Sequence, residues 1–238
     1  DATKNNIFKL AGTLINKGIL EHNNKILDLA STSVFYNYGT LRSFGTNSII
    51  NIRSSIFENY NSIVNNAALY IFDSVINKGT NSTNSHSVDL RGITGTITNN
   101  DSIVFETTSF LTNHGLLNNN SSILNKGTLD NLNIISNTGT IENDSSILNK
   151  GTVTISGTLN NKNYGNIENL LNGVFTINTN GTVSNKNQSL FKNDNKFNNS
   201  GTLWVKDSSV FTNNGVFTND SILLNKSTFN NNSNLNNN

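Results

Sequence analysis

Apolar side chains recur singly along most of this chain, at a fixed offset from glycine, with polar residues between them. The residue two places after glycine is apolar in 14 of the 17 cases, where an apolar content of 34% would give about six. These positions are Leu14, Leu20, Leu41, Ile97, Leu117, Leu129, Ile141, Val153, Leu159, Ile167, Phe175, Val183, Leu203 and Phe217, and they are read as an inward row. From Gly151 to Ser156 and from Gly173 to Asn178 the chain alternates apolar and polar, the period of a strand with one face buried. No segment between glycines carries the i, i+3, i+4 spacing of a helix. The pattern predicts many short strands and no helices.

Asparagine stands two places before glycine in ten of the 17 cases, where about four are expected from composition. Asn and Gly both enter left-handed backbone conformations cheaply, so Asn-x-Gly is expected to be a bend between strands, with Asn itself left-handed. Candidate corner and ladder residues are Asn16, Gly18, Asn125, Gly127, Asn137, Gly139, Asn149, Gly151, Asn213 and Gly215. Ser121 to Thr128 is repeated unchanged at Ser145 to Thr152, and Gly115, Gly127, Gly139 and Gly151 are spaced by 12. The repeat is read as a 24-residue unit of two similar halves.

Strands this short and bends this frequent predict an all-β parallel β-solenoid over residues 1–238 as one domain. Coils of 20 to 24 residues, each rising about 4.8 Å, give about 10–12 coils and a rod about 50 Å long. Stacked Asn side chains are expected to form amide ladders along it. Thr46 to Asn113 and Asn185 to Ser200, where the spacing becomes irregular, are expected to be loops or bulges. Residues 1–10 and 229–238 are read as frayed ends or segments exchanged between subunits.

Composition narrows the reading. Roughly one residue in five is Asn, while Gln occurs once, at Gln188; a shorter amide suits a tight corner better. The chain has no Cys, Met or Pro and a net charge of +1, so neither disulfides nor a strong field organises it. Its low apolar content is that of a disordered tract, but the regular placement of the apolar residues is not. No run of 18 apolar residues is present to cross a membrane. Export is expected, because the chain opens on Asp1 rather than Met, as after removal of a leader, and lacks Cys.

The string apolar-x-Asn-x-Gly-x-apolar, as in Phe211 to Phe217 and Leu111 to Leu117, resembles the repeats of filamentous-haemagglutinin-type adhesins and adhesin-like surface proteins. The resemblance implies a right-handed parallel β-helix that serves as a stalk, fibre or adhesive surface at the cell exterior.

Candidate chemistry is thin. Right-handed β-helices also carry polysaccharide-cleaving enzymes, which need clustered carboxylates. Here the 15 acids are dispersed, and Asp73, Asp101, Asp144, Asp207 and Asp220 share an Asp-Ser setting that reads as a turn. His22, His86 and His114 lack metal-ligand spacing, and no calcium-loop motif occurs. No catalytic residue, metal or cofactor is therefore expected. Lys17, Lys78, Lys126 and Lys150 all occupy Asn-Lys-Gly corners and are expected to align along one edge; the basic residues are too few and scattered for nucleic acid. Thr13, Thr40, Thr128, Thr140, Thr152 and Thr202 follow glycine and suggest an outward threonine row, which would suit ice binding. Sequons occur at Asn81, Asn100, Asn143, Asn187 and Asn219. The expected function is a non-catalytic extracellular filament subunit whose partner is itself, stacked end to end. The alternative is a cell-surface adhesin stalk presenting Tyr36, Tyr38, Tyr60 and Tyr164 to glycans.

Overall fold

The structure of the protein, a computed structural model, describes residues 7–23, 25–44, 48–53, 56–60, 62–65, 68–71, 74–77, 81–84, 87–90, 96–100, 102–107 and 109–238. It contains 35 strands and no helix among those residues. The strands form three parallel sheets of 12, 12 and 11 strands, and within each sheet neighbouring strands are the third apart in sequence. The chain is thus a three-sided parallel β-solenoid of nearly twelve coils. Face one begins with Ile7–Leu10, face two with Thr13–Asn16 and face three with Ile19–Asn23.

The building unit is six residues, one side of the triangle. From Leu116 to Asn161 strands begin every six residues, and those that pair within this range do so 18 residues apart. In each side the first and third residues face outward, the second and fourth inward, and the fifth and sixth turn the corner. Thr128–Asn131 and Ser146–Asn149 show this alternation, with Leu129, Asn131, Ile147 and Asn149 buried.

In the regular region the coil is 18 residues, shorter than the expected 20 to 24. The 12-residue glycine spacing spans two sides of a three-sided coil, and the 24-residue repeat spans four. Coils of 20 to 24 residues do occur wherever a corner is longer than two residues, as between Asn166 and Leu190. The stretches expected to be loops are also strands. Among the described residues of 46–113, strands from Ile49–Ile52 to Phe110–Asn113 continue the three sheets, and Leu190–Asn193 and Lys196–Asn199 do so within 185–200. The segment 229–238 lies within or beside Thr228–Asn231 and Asn234–Asn237, which pair with Val210–Asn213 and Val216–Asn219. Residues 1–6 fall outside the described residues.

The core is three apolar columns. On face one Leu111, Leu129, Ile147, Ile167, Phe191, Phe211 and Phe229 stack in register. Face two stacks Leu117, Ile135, Val153, Phe175, Phe197, Phe217 and Leu235, and face three includes Ile141, Leu159, Val183 and Leu203. Toward the C-terminal end the aliphatic filling gives way to phenylalanine. Phe175, Phe191, Phe197, Phe211, Phe217 and Phe229 form a chain of rings with neighbouring centroids 5.0 to 5.7 Å apart, within the range of favourable aromatic contact. Leu14 and Leu20, in the first coil, are only partly buried and pack against the same core.

Glycine serves a purpose other than the one expected of it. Among the described glycines only Gly12 has a left-handed φ. The corner glycines instead sit where the carbonyl of the coil below points up the axis. Thr158 N–H donates to Gly139 O, and that bond draws the oxygen so close that a Cβ on Gly157 would lie 2.1 Å from it. Gly18, in the first coil, has no heavy atom within 4 Å of such a Cβ. Gly157→Ala is accordingly expected to destabilise the fold by about 1–3 kcal/mol through overpacking, and Gly18→Ala to change little. Denaturant midpoints of the two variants check this.

Candidate functional site

The fourth residue of each side is where polar chemistry enters the core. Asn16, Asn125, Asn137, Asn149 and Asn213 all end strands; the last four are buried and Asn16 is half-buried. None of these five has the left-handed backbone expected of an Asn-x-Gly corner, and of the ten Asn found two places before glycine only Asn163 is left-handed. The bend lies in the two residues after the Asn, while the Asn points inward.

Asn149 shows what these side chains do. Its Oδ1 accepts from Asn131 Nδ2 at 2.8 Å and from the Gly151 N–H at 3.2 Å, and its Nδ2 donates to Asn169 Oδ1 at 2.7 Å and to Val174 O at 3.1 Å. Both donors and both acceptor positions of the amide are filled. Burying an amide without partners costs about 1–3 kcal/mol, so a buried Asn is tolerable only where the coils above and below complete it. On face one the ladder runs unbroken from Asn113 through Asn131, Asn149, Asn169, Asn193 and Asn213 to Asn231. Face three carries Asn125, Asn143, Asn161 and Asn185. On face two the ladder through Asn99, Asn119 and Asn137 is interrupted by Ile155 and Ile177 and resumes at Asn199.

Every rung points the same way, Nδ2 donating to the Oδ1 of the next coil toward the C terminus. The orientation is fixed by the second bond of each Nδ2, which goes to a backbone carbonyl that can only accept. A longer Gln amide could not meet both acceptors from the same backbone. The rod is therefore polar, with acceptors toward its first coil and donors toward its last.

In the first and last described coils, residues at core positions are exposed. Phe8 is 53% exposed in the first coil, and Leu235 is 41% exposed in the last, although their in-register partners Leu27 and Phe217 are buried. Phe229 and Leu223 are partly buried and pack against the core.

The corners carry the outward chemistry. Lys17, Lys126 and Lys150 follow Asn residues of faces two, three and one, so they lie on three different edges and do not form the single edge expected; Lys78 is outside the described residues. The lysines that do align are Lys162, Lys186, Lys206 and Lys226, at the corner from face three to face one. Their common signal is a Lys directly after the strand end. Lys162 bonds Glu142 at 2.7 Å and lies 3.9 Å from Asp144. That hydrogen bond, opposed by desolvation and aided by both carboxylate charges, raises its pKa above the ordinary lysine value.

Asp144, Asp207 and Asp220 occupy corners, and Asp73 and Asp101 are outside the described residues. His114 is an exposed corner residue; His86 and the side chain of His22 are not described. Among the described residues no group of three or more His, Cys, Asp or Glu side chains could hold a metal ion, and no helix is long and apolar enough to cross a membrane. Thr140, Thr158, Thr182 and Thr202 stack on face three, but the neighbouring outward column is the mixed set Glu142, Asn160, Ser184 and Trp204. Thr13 and Thr152 lie on face two, Thr128 on face one and Thr40 on face three. Of the sequons, Asn143 and Asn219 are buried in ladders, while Asn100 and Asn187 are exposed.

No protein-family model, curated protein or solved structure matches this chain.

Asn169→Ala, at the middle of the face-one ladder, is expected to lower stability by about 1–3 kcal/mol by orphaning its neighbours' amide groups, with Asn169→Gln failing to restore it. Urea denaturation of the variants measures both. The raised pKa of Lys162 has a definite sign: its contribution is complete below the ordinary lysine value and is lost as pH rises through the folded-state value. The alkaline fall in melting temperature is expected to be shallower in Glu142→Gln.

Proposed function

We propose that this chain is a non-catalytic extracellular structural rod that stacks end to end on further copies of itself. The observation that carries the reading is the single direction of its amide ladders. In the first and last described coils Phe8 and Leu235 are exposed although their in-register partners are buried, and a parallel strand edge there can take a further strand. The unidirectional amide ladders leave donors at one end and acceptors at the other, as head-to-tail growth requires. A second copy placed on the last coil would continue backbone, amide and apolar columns together, and the amide columns would set its register. The resemblance of the repeats to those of adhesin-like surface proteins supports a setting outside the cell.

A second reading, a cell-surface adhesin stalk with a carbohydrate-binding face, is favoured by the aromatic rings at its corners. Tyr38 and Tyr60 stack at 4.5 Å on one edge, and Tyr164 projects from another with 74% of its surface exposed. Ice binding is the weaker third reading, since it would rest on the single threonine column of face three.

Electron microscopy of the purified chain tests the first reading. Uniform filaments with a repeat of about 4.8 Å along the axis are expected, and Leu235→Lys is expected to shorten or abolish them by placing a charge in the junction. Monodisperse single rods across a wide range of concentration would rule out end-to-end stacking.

A further inference from the structure

Most corners turn in two residues. At the corner from face three to face one, Lys126-Gly127, Asp144-Ser145 and Lys226-Ser227 all do so. Three successive coils between them instead use four residues, Lys162 to Gly165, Lys186 to Ser189 and Lys206 to Ser209, each closed by an N–H of the fourth residue donating to the carbonyl of the first. The fold does not need the extra residues, because the same corner is made without them on either side.

The inserted pairs also adopt a costly backbone. Asn163 and Tyr164 have φ of 53° and 67°, Asn187 and Gln188 of 54° and 61°, and Asp207 and Ser208 of 56° and 60°. Two left-handed residues in succession are the mark of a type I′ turn, which favours glycine at its second position. Here that position holds Tyr, Gln and Ser. The turns are knitted to one another, Tyr164 N–H donating to Asn187 O and Gln188 N–H to Asp207 O. Strained, non-glycine turns stacked on adjacent coils fix a set of side chains in space.

Together these residues line a concavity of about 470 Å³, within the size range of small-ligand sites. Its lining is the exposed Tyr164 ring, the amides of Asn163, Asn187 and Gln188, the Asp207 carboxylate and the Ser208 hydroxyl. Asn163 donates to Asp144 at 3.3 Å and receives a long bond from Asn187. Among the described residues the side chains of Gln188, Asp207 and Ser208 bond no other protein group, which leaves them directed to solvent or a ligand.

We infer that this corner column is a binding groove for a neutral, linear oligosaccharide. A ring that is apolar on its face can lie against the C–H face of a pyranose, and planar amides with one carboxylate can satisfy its hydroxyls. The coil rise of about 4.8 Å is close to the length of one sugar unit, so successive sugars along the rod would meet successive turns. A charged glycan fits less well: the groove contains Asp207, and of the three lysines that open these turns Lys162 is held by Glu142 and Lys206 lies over the Trp204 ring, which leaves Lys186 as the one cation for an acid. The inference rests on the second reading above and is independent of end-to-end stacking.

Isothermal titration of the full chain with cellotetraose and chitotetraose, with a galacturonate oligomer as the acidic comparison, tests it. Binding of a neutral oligosaccharide is expected, weakened at least about tenfold in Tyr164→Ala and retained in Tyr164→Trp. Neutral binding that survives Tyr164→Ala but is lost in Tyr38→Ala would overturn this site while leaving the carbohydrate-binding reading standing. Failure of both neutral oligosaccharides to bind at millimolar concentration, or preference for the acidic one, would overturn the inference.

Discussion

A parallel solenoid places each inward residue beneath its counterpart one coil on, so a polar group admitted to the core must be satisfied along the axis. The stacked asparagines meet that requirement. Each amide is completed by the coils on either side, and its second donor ties the ladder to the backbone carbonyl beyond the next corner. Buried polarity thereby becomes a register device. A coil that slipped by one residue would bury an outward side chain and orphan an amide in the same step. The apolar columns supply burial and the ladders select the register.

The same constraint explains what could and could not be read from the sequence. The inward row two residues after glycine was legible because position two of every side is buried whatever the coil length. The three-sided cross-section was not, because between Gly115 and Gly151 glycine marks only alternate corners: Ser121, Asn133 and Ser145 fill the intervening ones. Glycine is demanded where a neighbouring carbonyl presses on the corner, and its spacing reports that pressure rather than the number of sides. The six-residue unit is visible instead in the asparagines, from Asn113 through Asn119, Asn125, Asn131, Asn137 and Asn143 to Asn149. The strained turns left a weaker trace. Asn161 and Asn169 are eight residues apart rather than six, and the lone Gln of the chain stands in the next such insertion.

Structure and proposed function meet in the rod's polarity and in the corner from face three to face one. A ladder whose rungs all point one way gives the two ends different chemistry, which is what an axial assembly uses. Away from the ends the sides repeat with little variation, and departures from the six-residue unit are concentrated at corners, where an insertion leaves the sheets in register. The corner from face three to face one gathers three such departures on adjacent coils, so a surface feature is built there without disturbing the core.

Hydrogen–deuterium exchange of asparagine side-chain amides, followed by NMR, bears most directly on the buried ladders. The Nδ2 protons of Asn131, Asn149, Asn169 and Asn193 are predicted to exchange as slowly as the core backbone, and those of the outward Asn120 and Asn214 far faster. Uniformly fast exchange of all side-chain amides would contradict the ladder account and leave apolar packing alone to hold the register.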